Sequence, residues 1–364
     1  MAIVDDVLTF IQQPDPEKLE PLALQLFRYQ LEGVAAYRAY VENLGIDPLA
    51  INRIEQIPAV STLAFKYANL ANGSASVKLA SRIFLTSGTT NGRDERGRHV
   101  VLWPEIYRMS SMNHMRRMLF PDSRRLAMLA LHPTADRMPE SSLSQMISWG
   151  IEAFGSPRTC CAATREGIDC IVAIAFLEML EQQKEAVCIF ATTAAFARLC
   201  AALAKTDRRI VLPLGSRLMD TGGAKGQPEP LSAIEMVDQA QQWLGLEAAM
   251  VINEYGMTEL CSQLYDATSF NSDRDEAPER RIKLAPPWLK PFALDPATLR
   301  PVGAGEVGLL AFFDLANAGS VSMLLTEDFG IVRDGMVKIL GRAQAADARG
   351  CALAIAEFAR INHG

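Results

Sequence analysis

An α/β fold built on a parallel sheet is what this chain of 364 residues predicts, and three features predict it. Apolar, strand-like runs alternate with helical stretches from about residue 82 to 252. One of those runs, Arg125-Leu126-Ala127-Met128-Leu129-Ala130-Leu131, is almost unbroken in apolar character, as a strand covered on both faces must be. After about residue 280 prolines, turns and short strands take over, so the last third reads as antiparallel. At one domain per ~100–200 residues, the length suggests two domains or a large one with a small appendage.

The elements follow in order. Residues 3–45 read as helical: Ala23, Leu26, Phe27, Leu31 and Val34 recur at three- and four-residue spacing, Gln30 is the one polar member of that face, and Gly45 is the stop. Ser61 or Thr62 suits the cap of a short helix through Phe65-Lys66-Tyr67. Arg82-Ile83-Phe84-Leu85 reads as a strand entering a Gly/Thr/Ser loop, and Pro104 opens a helix through Met118. Residues 142–153 and 167–184 read as helices, Val187-Cys188-Ile189-Phe190 as a strand, and Thr192 or Thr193 as the cap of a helix to about Lys205. Ser216-Arg217-Leu218-Met219 and Ala249-Met250-Val251-Ile252 read as strands on either side of a helix over 230–244. Beyond 280 the strands are 306–313 and 336–340, the latter entered through an Asp334-Gly335 hairpin turn.

Composition narrows the function classes. With 49% hydrophobic and 21% charged residues the chain can build a core, which argues against disorder. A net charge of −6 argues against broad nucleic-acid binding, while leaving room for a local pocket for a small anion. No run approaches the ~18–20 apolar residues of a membrane span. The start, Met1-Ala2-Ile3-Val4-Asp5-Asp6, is acidic where a signal peptide is basic, so the chain reads as cytoplasmic. Seven cysteines, odd in number and without a C-x-x-C pair, argue against a disulfide framework or a zinc knuckle, and the four histidines do not cluster.

Four sets of residues carry candidate chemistry. Thr86-Ser87-Gly88-Thr89-Thr90-Asn91-Gly92 follows an apolar strand; glycines let N–H groups converge and hydroxyls add donors, a set that suits phosphate oxygens as well as it suits an ordinary surface loop. It lacks Walker A spacing. Asn253-Glu254-Tyr255-Gly256-Met257-Thr258-Glu259 also follows a strand; Tyr255 offers a flat face, Thr258 a hydroxyl and Glu259 a hard oxygen for Mg²⁺, against the plain reading of a capped turn. Asp220-Thr221-Gly222-Gly223-Ala224-Lys225-Gly226 has glycines that permit close ligand approach. Thr326-Glu327-Asp328 and Gly341-Arg342 flank the hairpin; they suit ribose and phosphate, or a solvent salt bridge. Gly303-Ala304-Gly305-Glu306-Val307-Gly308 matches a dinucleotide fingerprint in letters alone, since no strand precedes it and no helix start follows.

Taken together and in this order, these segments resemble the adenylate-forming superfamily. Thr86–Gly92 is similar to its phosphate loop, Gly222-Gly223-Ala224 to its adenine-contacting turn, and Tyr255-Gly256-Met257-Thr258-Glu259 to its Y-G-x-T-E motif. Gly305-Glu306-Val307-Gly308-Leu309 is similar to G-E-x-G-x-L, and Thr326-Glu327-Asp328 to T-G-D with Glu327 in place of Gly. Within the superfamily the chain resembles the acyl-protein synthetases, a family that includes the fatty-acid-activating subunit of bacterial bioluminescence reductase and a related phenazine-antibiotic biosynthesis protein. That flavour comes from Ile57-Pro58, Ser141-Ser142-Leu143, Thr221–Gly226, Ser262-Gln263-Leu264-Tyr265 and Asp347–Cys351.

The resemblance implies the large N-terminal domain of adenylate-forming enzymes: two sheet–helix subdomains over 1–280 binding nucleotide and acyl group, and a distorted antiparallel β-barrel subdomain over 281–342. A short remnant, 343–364, stands where larger members carry a C-terminal domain, which is missing or vestigial here. It also implies ATP and Mg²⁺, a fatty or aromatic acid, and formation of an acyl-adenylate with pyrophosphate release. Thr86, Ser87, Gly88, Thr89 and Thr90 would hold phosphates; Gly222, Gly223, Ala224, Glu254, Tyr255 and Gly256 the adenine; Asp328 and Arg342 the ribose. Thr258 would meet the α-phosphate, Glu259 the Mg²⁺, and His132 the acyl carboxylate unless it is a packed core histidine. The phosphate loop lacks the usual Pro-Lys, with Arg93 as a candidate stand-in. Because the domain that carries the catalytic lysine in larger members is missing or vestigial here, Lys225 is the candidate adenylation lysine, against a plain surface lysine, and Cys351 the candidate acyl acceptor, against a small buried core residue. Partners implied are an acceptor or reductase protein; a homodimer is compatible with the sequence. The competing reading is a catalytically weakened nucleotide- or acyl-binding subunit of a biosynthetic complex.

Overall fold

The computed structural model describes residues 2–73, 81–86, 96–222, 231–274 and 276–342. In chain order the helices are α1 (Ala2–Gln12), α2 (Pro16–Gly33), α3 (Ala35–Asn43), α4 (Pro104–Leu119), α5 (Ser142–Phe154), α6 (Cys170–Gln183), α7 (Thr193–Lys205) and α8 (Ala233–Leu244). The strands are β1 (Val60–Ser61), β2 (Arg82–Leu85), β3 (Arg98–Val101), β4 (Leu126–Ala130), β5 (Gly155–Cys161), β6 (Ala163–Thr164), β7 (Gly167–Ile168), β8 (Val187–Thr192), β9 (Arg217–Thr221), β10 (Val251–Tyr255), β11 (Leu264–Asp266), β12 (Lys283–Leu284), β13 (Leu289–Leu294), β14 (Val307–Asp314), β15 (Met323–Arg333) and β16 (Met336–Arg342).

These elements form two compact units, one from residues 1–111, 257–263 and 282–364, the other from 112–256 and 264–281. The second unit is the expected α/β part. Its strands run in the order β5-β4-β8-β9-β10-β11, parallel as far as β10, with β11 antiparallel at the edge. Alternate residues of one face, Ala127, Leu129, Val187, Ile189 and Leu218, join Leu177 of α6, Phe196 and Leu199 of α7 and Ala240 of α8 in one core. The other face meets α5: a side chain at Gly150 would stand 3.3 Å from Phe190 and 3.0 Å from Met115. Cover on both faces explains why all five residues of β4 are buried and apolar. Local signals set the ends. Thr192 caps α7 through Ala195 N–H, Ser232 and Glu235 form a capping box on α8, and Gly245 at φ +64° closes it.

In the first unit β13-β14-β15-β16-β12 form an antiparallel sheet, with β1 added parallel to the start of β15, and β2–β3 make a separate hairpin. Asp334 (φ 52°) and Gly335 (φ +75°) make the tight turn between β15 and β16, as their sequence predicts. At the fingerprint look-alike, Glu306 accepts the Gly303 N–H at 2.9 Å and strand β14 follows, so no helix N-terminus is available for a pyrophosphate.

Some local expectations are corrected. Residues 3–45 are three helices, not one run. Pro16 sits at the first position of α2 with Asp15 capping Glu17 N–H at 3.1 Å, and Val34 is an extended break before α3. Gln30, 1% exposed, is a tertiary tie: its amide donates to the Asn317 carbonyl and Ser322 Oγ and accepts from Ser322 N–H. The helix predicted from 167 starts at Cys170, because Gly167 and Ile168 pair with β6. β5, whose Arg158-Thr159-Cys160-Cys161 tail is only partly buried, carries little apolar signal and was not expected.

Candidate active site

In the second unit β4, β8, β9 and β10 end at the same carboxyl edge, where open α/β sheets build sites. Gly222 follows β9 with φ +96°, and no described residue beyond its chain neighbours lies within 4 Å of where a Cβ would stand. Its carbonyl is 3.3 Å from the Thr193 hydroxyl, which is also 2.9 Å from Asp220 Oδ1. Asn253 Nδ2 donates to Asp220 Oδ2 at 2.7 Å, and Asn253 N–H to Asp266 Oδ2 at 3.1 Å. Glu254 is buried and accepts from the Thr221 hydroxyl; Tyr255 is half-buried and Gly256 exposed. His132 follows β4. Burial pushes its imidazole down to about 4, and its buried Nε2 has no partner among the described residues.

In the first unit, Thr86 closes the neck of the Ser/Thr/Gly loop. Its N–H donates to the Gly97 carbonyl at 2.9 Å and its hydroxyl accepts the Gly97 N–H at 2.8 Å, while Arg96 donates to the Thr86 and Leu85 carbonyls. Met257–Leu260 is a β-turn closed by Leu260 N–H to the Met257 carbonyl at 3.2 Å, with half-buried Thr258 and Glu259 at its centre. His99 Nδ1 lies 2.7 Å from the Thr258 carbonyl, and Asn317 Nδ2 donates to the Glu259 carbonyl at 2.7 Å. Downstream, Asp314 accepts the Cys261 N–H at 2.9 Å and the Ser262 hydroxyl at 2.7 Å. Because each hydroxyl has one proton, the chain Trp288 Nε1–H to Ser110 to Ser262 to Asp314 runs one way. Burial raises Asp314 to about 6 against these donors, so it is an anion near pH 7.

Asp328 and Arg342 are direct partners across β15 and β16. Arg342 Nη2 lies 3.5 Å from Glu327 Oε2, the residue that replaces the motif glycine. Thus one unit collects Thr86, Thr258 and Glu259 with the Asp328–Arg342 pair, and the other collects Gly222, Glu254, Tyr255, Gly256 and His132. Ser87, Gly88, Thr89, Thr90, Gly223, Ala224, Lys225 and Cys351 lie outside the described residues. Of the remaining cysteines, all free, Cys188, Cys200 and Cys261 are buried as core residues, while Cys160, Cys161 and Cys170 are partly exposed. Among the described residues no group of three or more His, Cys, Asp or Glu is arranged to hold a metal ion.

Sequence reasoning missed His99, Asn317 and Asp314. His99 shows only as one of two polar residues in Arg98-His99-Val100-Val101, and Asp314 as the polar end of an apolar strand.

Known proteins share this fold. An open 2-hydroxyisobutyryl-CoA ligase in complex with 2-HIB-AMP and CoA superposes with a TM-score of 0.63 at 16% identity, covering 89% of this chain and 74% of that one. The same ligase in the thioesterification state gives 0.66 at 17% identity, covering 92% and 70%. At such identity the likeness establishes the fold alone. Two long-chain-fatty-acid–luciferin-component ligases are similar in sequence: that of Aliivibrio fischeri is 37% identical over 93 residues and that of Vibrio harveyi 36% over 87. These matches cover 23% and 22% of this chain and span only 25% and 23% of the relatives' own lengths. No described helix is long and apolar enough to cross a membrane. The acyl-protein synthetase LuxE family matches residues 13–359, nearly the whole chain, and the chain belongs to that family.

Proposed function

We propose that this protein activates a carboxylic acid with ATP, forming an acyl-adenylate and releasing pyrophosphate, and passes the acyl group to a thiol. A carboxylate is a poor acyl donor because its leaving group is poor; AMP is a far better one. The work of such a site is positioning and charge neutralisation. The observation that carries this reading is the tie, 2.7 Å long, between the hairpin holding the Ser/Thr/Gly loop and the turn presenting Thr258 and Glu259. It supports a phosphate-binding loop and a phosphate-facing hydroxyl and carboxylate acting in one place.

In this reading Thr86, Ser87, Gly88, Thr89 and Thr90 bind the β- and γ-phosphates, and Thr258 orients the α-phosphate. Gly222, Gly223, Ala224, Glu254, Tyr255 and Gly256 receive adenine, an assignment supported by Gly222, which has no described residue beyond its chain neighbours within 4 Å of its Cβ position. Asp328 and Arg342, cross-strand partners, take the ribose. A single carboxylate, Glu259, suits Mg²⁺, which keeps most of its shell from phosphates and water and would supply charge neutralisation. His132, neutral and with an Nε2 that has no partner among the described residues, is fitted to meet the acid's carboxylate. Lys225 is the proposed adenylation lysine and Cys351 the acyl acceptor. The relatives named above favour a long-chain fatty acid and a partner of the bioluminescence type, and do not support the phenazine side of the resemblance.

Acid-dependent ATP–pyrophosphate exchange, screened over fatty and aromatic acids, tests the first step. Exchange with a long-chain acid is expected; none with any acid would leave only a binding subunit. Labelled acid retained on the protein, and lost in Cys351→Ala, tests the second step.

A further inference from the structure

A β-turn uses the carbonyl of its first residue and the N–H of its fourth; the two central carbonyls must find partners elsewhere. In Met257–Leu260 those are the carbonyls of Thr258 and Glu259, and each is gripped by a side chain from a distant stretch. His99, 1% exposed on β3, supplies the first at 2.7 Å; Asn317, in the turn after β14, supplies the second at 2.7 Å and also donates to the Val321 carbonyl at 3.2 Å. A carbonyl only accepts, so His99 carries its proton on Nδ1. Burial pushes its imidazole down to about 4, so near pH 7 it donates without charge. Its ring packs edge-on against Phe65 at 5.3 Å, a setting that an apolar side chain would fill as well. The hydrogen bond to Thr258 is what an imidazole adds there.

We propose that His99 is a positioning residue for adenylation: carried by the hairpin that bears the Ser/Thr/Gly loop, it sets the peptide plane between Thr258 and Glu259, and with it the directions in which both side chains leave the turn. Without that N–H the peptide unit is free to rotate toward another donor, displacing the Thr258 hydroxyl and the Glu259 carboxylate together. Asn317 holds the next carbonyl in the same way. The inference rests on the adenylation reading given above.

The test compares His99→Asn with His99→Gln. Asparagine places an amide nitrogen near the Nδ1 position; glutamine carries it one carbon too far. In pyrophosphate exchange with ATP varied, the glutamine variant is expected to lose roughly 10–100-fold in kcat/KM for ATP while KM for the acid stays unchanged. The asparagine variant recovers most of that loss. Equal behaviour of the two variants, with wild-type exchange intact, overturns the proposal. Absence of wild-type exchange overturns the adenylation reading instead. His99 is then judged by hydrogen exchange over 257–263, where the glutamine variant opens faster than asparagine or wild type, and equal rates reject the role. If neither variant folds, ¹⁵N spectra of the histidine-labelled wild type decide: a proton on Nε2 of His99 in place of Nδ1 rules the tie out.

Discussion

Strand β10 and the turn that follows it are continuous in sequence, yet they are held by different means. Val251–Glu254 pair residue by residue with β9, and Glu254 and Tyr255 pair with Tyr265 and Leu264 of β11. Those bonds are between backbone groups and do not depend on which side chains are present. From Met257 to Gln263 no ladder exists; the turn has its own closing bond, and side chains of His99, Asn317, Ser110 and Asp314 bond to the segment. A laddered half tolerates substitution, whereas a half clamped by side chains is one mutation away from losing its shape. Glu254 and Tyr255, proposed to face adenine, belong to the first kind; Thr258 and Glu259, proposed to face phosphate and metal, belong to the second.

Four experiments break or sharpen that contrast. Glu259→Gln removes the one charge the turn presents and should lower acid-dependent pyrophosphate exchange about 10³-fold without moving the melting temperature; near-normal exchange would take Glu259 out of the metal role. Asp314→Ala strands the Cys261 N–H and the Ser262 hydroxyl in a fully buried site, a loss of about 3 kcal/mol readable by denaturant unfolding. A change under about 1 kcal/mol would mean the turn is held without it.

The third uses pH. His99 and His132 have folded values lowered to about 4 from 6.5, so the stability they contribute is complete above 6.5 and is lost as pH falls toward 4. Asp314 is raised to about 6 from 3.8, so its contribution is complete below 3.8 and is lost as pH rises through 6. Two protons against one leaves a net rise of about 1.4 kcal/mol per pH unit near pH 5 from these three groups. His132→Asn should flatten this rise, and an unchanged slope would contradict the burial of that imidazole. The smallest effect belongs to the laddered half. Thr221→Val removes the hydroxyl donated to Glu254 but leaves β9–β10 paired, so about 1 kcal/mol and a few-fold change in exchange are expected. A loss as large as that of Asp314→Ala would erase the contrast.

Much of the fold was legible because it rests on local signals. The unbroken apolar run of β4, the caps at Thr192 and Ser232, the stop at Gly45 and the Asp334-Gly335 turn each act within a few residues. Pro16 and Val34 broke the first helix where apolar periodicity ran on, and β5 was hidden by its polar tail. For the proposed site, motif order put forward Thr258, Glu259, Asp328 and Arg342, while His99, Asn317 and Asp314 carried no readable pattern.

Residue order alone determined most element types and the family, because periodicity, capping and motif spacing are properties of neighbours along the chain. Only the tertiary structure decided that Gln30 ties a helix to the turn before β15, that Asp314 and Asn317 anchor residues more than fifty positions earlier, and that a lone histidine 159 residues before Thr258 holds its carbonyl. Burial and hydrogen-bond partnership are set by which distant segments meet, and that meeting is a property of the folded chain.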